Sequence, residues 1–202
     1  MRTLLAFPLL AGCAFTAAQL DPPLGQLARW RGADAALLAA EPVVTPCPAD
    51  HPACASLHLL RAEACMGLAM AARAPGATCP TLAEAPHLAC AGAGYAAAVG
   101  LGAQPAALLA GNGAQALLCR AEVQAPAEAL ASAGAAMTLA ARAEPGRAAA
   151  LGAWGATLRA RLSAGAARCD AVHQAQALAA TLPAEVQGRV LADLALLPGC
   201  AP

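Results

Sequence analysis

Two amino acids are missing from this chain, and its positive charge is not concentrated anywhere. It has no lysine and no isoleucine, and all twelve basic side chains are arginines that are spread along the chain. Twelve acidic side chains balance them, so the formal net charge is zero. Nucleic-acid-binding domains gather positive charge on one surface. The composition therefore predicts no nucleic-acid partner.

Aromatic side chains make up only 2% of the residues. They are Phe7 and Phe15 near the N-terminus, followed by Trp30, Tyr95 and Trp154. A chain of 202 residues can form one domain with a real core. A core of alanine and leucine is weak for this length, because stabilisation scales at about 25 cal/mol per Å² of buried apolar area. We therefore expect covalent cross-links to contribute to stability.

The N-terminus has the organisation of a signal peptide. Arg2 precedes an apolar run over residues 4–10, which is too short to span a bilayer, and small residues follow it. The site Leu10-Ala11-Gly12-Cys13 resembles the lipobox of bacterial lipoproteins. This resemblance implies that residues 1–12 are removed and that Cys13 carries acyl chains such as palmitate. The alternative is a plain secreted protein in which Cys13 has no such role.

The lipobox resemblance also implies a location. Two or three acyl chains hold a protein firmly to a membrane, since each buried CH₂ contributes about 0.8 kcal/mol. Residue 14 is alanine, whereas an aspartate at this position tends to retain lipoproteins of Gram-negative bacteria in the inner membrane. We therefore expect a protein of the cell envelope, anchored through Cys13 to the outer membrane and facing the periplasm.

The other eight cysteines form an even set, which in an exported chain indicates disulfides. In an antiparallel helical hairpin bent near residues 75–78, two of them fall at similar depths. Two others flank a short proline-rich loop, and two stand at the outer ends of a last hairpin. The expected pairs are therefore Cys65–Cys90 in the first hairpin, Cys47–Cys54 across the proline-rich loop and Cys169–Cys200 in the last hairpin. Cys79 and Cys119 remain and are expected to pair with each other.

Proline-rich breakers divide the mature chain. They bound residues 13–46, which we interpret as the acylated N-terminus and a tether, and residues 47–202 as one helical domain. Within the tether, Arg29-Trp30-Arg31 could rest on lipid headgroups or dock on the domain.

The domain is predicted to be all-α. Ala, Leu, Arg and Glu favour helices, and alternating β-branched runs are missing. Pro105, Pro126, Pro145 and Pro183 are expected to open helices, giving about six or seven in all. Residues 88–119 carry no charge, but their alanines, glycines and Pro105 indicate two buried helices rather than a membrane span.

A weak internal repeat is visible in this helical sequence. Its large, small and terminating positions are Leu117, Ala121, Ala133, Met137, Ala140 and Pro145, continued by Leu151, Gly155, Leu158 and Ala167, with Ala91, Tyr95 and Ala98 before them. This spacing resembles a tetratricopeptide repeat, although Gln124, Gln174 and Ala179 depart from it. The resemblance implies antiparallel helical hairpins stacked in an α-solenoid that binds partner peptides. An unrelated helical bundle is the alternative.

The best candidate for a chemical site is Cys47-x₃-His51-x₂-Cys54-x₃-His58. Cys and His side chains bind Zn or Cu, and Cys54 and His58 lie one helical turn apart. A disulfide between Cys47 and Cys54 is the simpler interpretation. We find no hydrolase or nucleotide-binding motif, and we interpret Trp154 as a core residue.

We therefore expect a protein-binding or scaffolding lipoprotein without catalytic activity or cofactor, whose partner is an envelope protein. The alternative is a periplasmic carrier of a ligand or metal that uses the Cys47–His58 segment.

Overall fold

A computed structural model describes residues 20–197 and Gly199. Cys13, Cys200 and the expected signal peptide lie outside these residues. The described chain is all-α, as predicted, with no strand. Its helices are α1 (Pro22–Trp30), α2 (Ala35–Ala40), α3 (Pro52–Ala71), α4 (Ala85–Gly100), α5 (Ala106–Val123), α6 (Pro126–Ala140), α7 (Pro145–Leu162), α8 (Gly165–Ala179) and α9 (Ala184–Ala195), and a 3₁₀ turn at Leu82–Glu84 precedes α4.

The predicted proline positions mark helix starts. Pro126 and Pro145 are the first residues of α6 and α7, while Pro105 and Pro183 are the N-cap residues of α5 and α9. Proline suits these positions because the first N–H groups of a helix have no partner within it and because its φ is already helical. The prolines in the sequence thus mark where four of the helices within residues 52–195 begin.

Helices α3 to α9 form the helical stack. Each packs against the next one along the chain, and α5 also contacts α7, which in turn contacts α9. Three buried clusters follow one another through the stack, one centred on α3–α5, one on α5–α7 and one on α7–α9. Contacts therefore form mainly between helices that are near neighbours in sequence.

Glycines allow the closest approaches between these helices. A Cβ atom on Gly94 of α4 would lie 2.8 Å from the Ala62 Cβ and 3.0 Å from the carbonyl oxygen of His58, both on α3. A Cβ on Gly155 of α7 would lie 2.7 Å from Met137 Cγ on α6. Small residues therefore let the backbones approach, which compensates for the lack of large apolar side chains.

Disulfides cross-link the first part of the stack. Cys65–Cys90 joins α3 to α4, and Cys79–Cys119 ties the loop before the 3₁₀ turn to α5. Cys47–Cys54 connects the segment before α3 to its first turn. These are the same pairs as expected from the sequence. Cys169 is also disulfide-bonded, and its expected partner, Cys200, lies outside the described residues.

The N-terminal region, residues 20–46, docks on the domain, which is one of the two arrangements expected for Arg29-Trp30-Arg31. Trp30 is 1% exposed and packs with Leu38 of α2 and Leu57 and Ala64 of α3. The Trp30 Nε1–H donates to Glu41 Oε2 at 2.7 Å. Because one aromatic ring supplies much apolar area, this short segment docks on α3 and belongs structurally to the domain.

No described helix is long and apolar enough to cross a bilayer. Helices α4 and α5, which cover most of the uncharged stretch at residues 88–119, instead pack on each other and contribute many residues to the first core cluster.

Candidate functional site

A groove runs over the surface where α5, α7 and α9 lie side by side. It encloses a cavity of about 200 Å³. The lining combines one aromatic side chain, small and branched apolar side chains and four charged ones: Glu122, Ala150, Trp154, Thr157, Arg161, Val186, Arg189, Val190 and Asp193. Aromatic and arginine side chains are enriched at protein interfaces.

Trp154 is the centre of the groove. Its ring is half-buried and packs against the first two core clusters of the stack. Its Nε1–H donates to Glu122 Oε1 at 2.9 Å, which fixes the ring between α7 and α5. The sequence interpretation of Trp154 as a core residue is therefore incomplete, because the same ring also lines an open groove.

The charged side chains pair across the same three helices. Arg161 donates to Asp193 Oδ2 at 3.0 Å, with 40% and 51% of the two side chains exposed. Arg189 and Glu185 lie 3.5 Å apart within α9. Exposed ion pairs contribute only about 0–1 kcal/mol each, so an incoming charged group can replace them at little cost.

A regular spacing connects these contacts. Three hydrogen bonds link helices α5, α7 and α9, and in each the partners are 32 residues apart: Arg147 to Gln115, Trp154 to Glu122 and Arg161 to Asp193. Along α7, Arg147, Trp154 and Arg161 follow each other at seven-residue intervals, which places them on one face of the helix. We call the three hydrogen bonds along this face the ladder. These three pairs were not predicted from the sequence, although polar residues spaced close to the repeat period would have indicated them.

One hydroxyl group lines the groove, and it is hydrogen-bonded within its own helix. The Thr157 hydroxyl donates to the carbonyl oxygen of Ala153 at 2.9 Å and is buried. No serine, cysteine or histidine lines the cavity. The arrangement can hold a partner by apolar contact and charge pairing.

The Cys47–His58 segment has a structural arrangement. The Cys47 and Cys54 sulfurs are joined in a disulfide, so neither is a thiolate that could bind a metal. His51 Nδ1 accepts a hydrogen bond from the Ala53 N–H at 3.2 Å, and its Nε2 lies 3.1 Å from Asp21 Oδ2. Within the part of the chain that the structure describes, no three His, Cys, Asp or Glu side chains form a group that could hold a metal ion.

His58, the last member of that candidate, is half-buried on α3. Burial lowers its pKa, and the nearby Arg61 lowers the pKa further. Its imidazole is therefore a half-buried neutral group on α3 in the helical stack. The predicted lipidation site, Cys13, lies outside the described residues and stays a prediction.

Comparison of the chain with protein-family models, with curated proteins and with solved structures found no match.

Proposed function

We propose that this chain is an envelope lipoprotein whose helical stack binds a protein partner in the groove across α5, α7 and α9. The observation that carries the binding role is the groove itself, where the half-exposed Trp154 is surrounded by exchangeable ion pairs. Aromatic and arginine side chains dominate the energetics of protein interfaces. The chain would act as a scaffold, without a catalytic step or cofactor.

The order of helix packing supports the tetratricopeptide-like part of this proposal. Helix α7 contacts both α5 and α9, while α6 and α8 lie between them in sequence, which is the order of a two-layered helical repeat. The shared spacing of 32 residues in the ladder supports the same interpretation. In folds of this kind a partner peptide lies along one layer of helices. Fold analogy alone is a weak argument for function, so the binding site has to be tested directly.

Site-specific photocrosslinking in living cells tests the binding role. A benzophenone amino acid at Ala150, which is exposed in the groove, is compared with the same group at Ala177, which is exposed on α8 and does not line the groove. We expect a discrete adduct from position 150 that disappears in the Trp154→Ala background. No adduct at position 150, or equal adducts at both positions, would contradict the proposed groove.

The anchor is supported by the Leu10-Ala11-Gly12-Cys13 motif, by alanine at position 14 and by a chain with a disulfide framework suited to an oxidising compartment. The test is the intact mass of the protein purified from the envelope. We expect residues 13–202 plus acyl chains in the outer-membrane fraction, and loss of fatty-acid labelling in the Cys13→Ala variant. An unacylated mass for the wild-type protein would refute the anchor.

A further inference from the structure

Helix α1 has two different sides. Gln26 and Trp30 face the domain and are buried, whereas Leu24, Ala28 and Arg31 are exposed. Positions i and i+4 lie on one side of a helix, so Leu24 and Ala28 lie together on the outward side of α1, and the exposed Arg31 caps its C-terminal end. We call these three residues the outward stripe. Apolar area on the buried side docks α1 on α3, and the outward side has no partner within the described residues.

The outward stripe starts with unusually exposed leucines. Leu20, immediately before the helix cap, is 87% exposed, and Leu24 is 47% exposed. Single exposed leucines are common on protein surfaces. Leu20 and Leu24 are a different case because both lie within eleven residues of the proposed membrane anchor at Cys13.

The length of chain to the anchor limits where this surface can be. Seven residues separate Leu20 from Cys13, and an extended chain of that length reaches at most about 25 Å. A tether this short keeps the local concentration of lipid around α1 high. Contacts that are too weak to bind on their own therefore become occupied.

One charged side chain at this end, Arg31, is available to a lipid headgroup. Asp21, Asp34 and Glu41 all accept hydrogen bonds within the N-terminal region. The side chain of Arg31, by contrast, has no hydrogen-bond or ion-pair partner among the described residues. An exposed arginine beside exposed leucines matches the boundary between phosphate headgroups and acyl chains, where arginine reaches the phosphate and leucine the hydrocarbon.

We infer that the outward stripe of α1, with Leu20, is a second membrane contact that lies on the headgroup layer beside the anchor. This inference rests on the proposed acylation of Cys13. Its consequence is that the domain does not tumble freely at the end of its lipid but is held in one orientation by the docked N-terminal region.

Paramagnetic broadening in nanodiscs tests the contact with the protein in its natural form. The acylated protein is purified from the envelope with methyl-labelled leucine and placed in phosphatidylethanolamine–phosphatidylglycerol nanodiscs that carry a gadolinium-chelating lipid. We expect the signals of Leu20 and Leu24 to be lost. Those of Leu108 and Leu191, which are 45% and 40% exposed elsewhere in the stack, should persist.

A matched pair of variants separates the contact from mere proximity to the anchor. Leu27 on α1 is partly buried against the Trp30 cluster and serves as the reporter. Its broadening should fall in Leu20→Ser/Leu24→Ser and stay unchanged in Leu108→Ser. Equal broadening of all exposed leucines, or no effect of the double variant, would overturn the contact.

The failure of this inference can be told apart from failure of the anchor. If the intact mass shows acyl chains but Leu20 and Leu24 are not selectively broadened, the domain hangs freely and only the contact is wrong. If the mass shows no acyl chains, the proposed anchor is itself wrong, and the inference is overturned with it.

Discussion

The N-terminal region, residues 20–46, is held by a few large and polar side chains, whereas residues 52–195 are held by many small ones. In the N-terminal region, one buried tryptophan and a network through Gln26 and Glu41 connect α1 to the segment before α3. In the stack, alanines fill most buried positions, and glycines such as Gly94 and Gly155 set the distance between helices.

The comparison shows two ways to stabilise a protein with few aromatic residues. Where the segment is short, one ring provides the apolar area, and the stability is concentrated in a few contacts. Where the helices are long, the close approach of their backbones and the disulfides distribute the stability over many contacts. Single substitutions should therefore affect the two regions differently.

Removal of the tryptophan ring should have the largest effect. Trp30→Ala deletes the largest fully buried side chain and the hydrogen bond to Glu41. Substitutions of this kind cost about 3–5 kcal/mol, which is enough to open residues 20–46. Hydrogen exchange should show rapid exchange in α1 and α2 while α5–α7 stays protected. Equal loss of protection throughout the chain would mean that the two regions unfold as one unit.

Addition of one methyl group should test the close packing of the stack. Gly94→Ala places a Cβ against the backbone oxygen of His58 and the Ala62 side chain, so α3 and α4 must move apart. Overpacking of this kind costs about 1–3 kcal/mol.

Gly67→Ala is the matched control. It lies on α3, where nothing is within 4 Å of the added Cβ, and it should gain roughly 0.5–1 kcal/mol from the better helix propensity. Urea unfolding measures both variants. Two shifts of the same sign would show that glycine is not needed for the approach.

Acid should have the smallest effect, and we expect it on the N-terminal region. The hydrogen bond from Trp30, with those from Arg29 and Gln26, holds the pKa of Glu41 below its ordinary range. A hydrogen bond from the Leu24 N–H similarly lowers the pKa of Asp21. Carboxyl groups with lowered folded-state pKa values stabilise the fold above their unfolded pKa, and this contribution is lost as the pH falls through the folded value.

Trp30 fluorescence in a Trp154→Phe background reports this region alone. We expect it to change below about pH 4 before the far-ultraviolet circular dichroism of the stack changes. In Glu41→Gln the pH dependence should weaken. An unchanged acid profile in that variant would exclude Glu41 as the responsible group.

Local rules were sufficient for much of the stack. Prolines fixed the starts of α5, α6, α7 and α9 because a ring that locks φ and lacks an N–H is tolerated there and not in a helix interior. The Cys65–Cys90 disulfide followed from the expected hairpin, since short loops make neighbouring helices antiparallel, and Cys79–Cys119 was the pair that remained.

The N-terminal region and the groove could not be derived in this way. Proline-rich breakers around residues 13–46 indicated a tether, yet the affinity of Trp30 for α3 depends on residues that become neighbours only after folding. Trp154 was interpreted as a core residue for the same reason. Periodicity shows on which side of a helix a residue lies, but it does not show whether other helices cover that side.

The sequence by itself determined the helical class, the helix starts and the pattern of cysteines, because these depend on propensity, proline geometry and short-range spacing. Only the tertiary structure decided that α5, α7 and α9 share a face, that their side chains pair at a distance of 32 residues, and that α1 is docked on one side and exposed on the other. The physical reason is that burial depends on which surfaces meet, and contacts between separate helices set that arrangement.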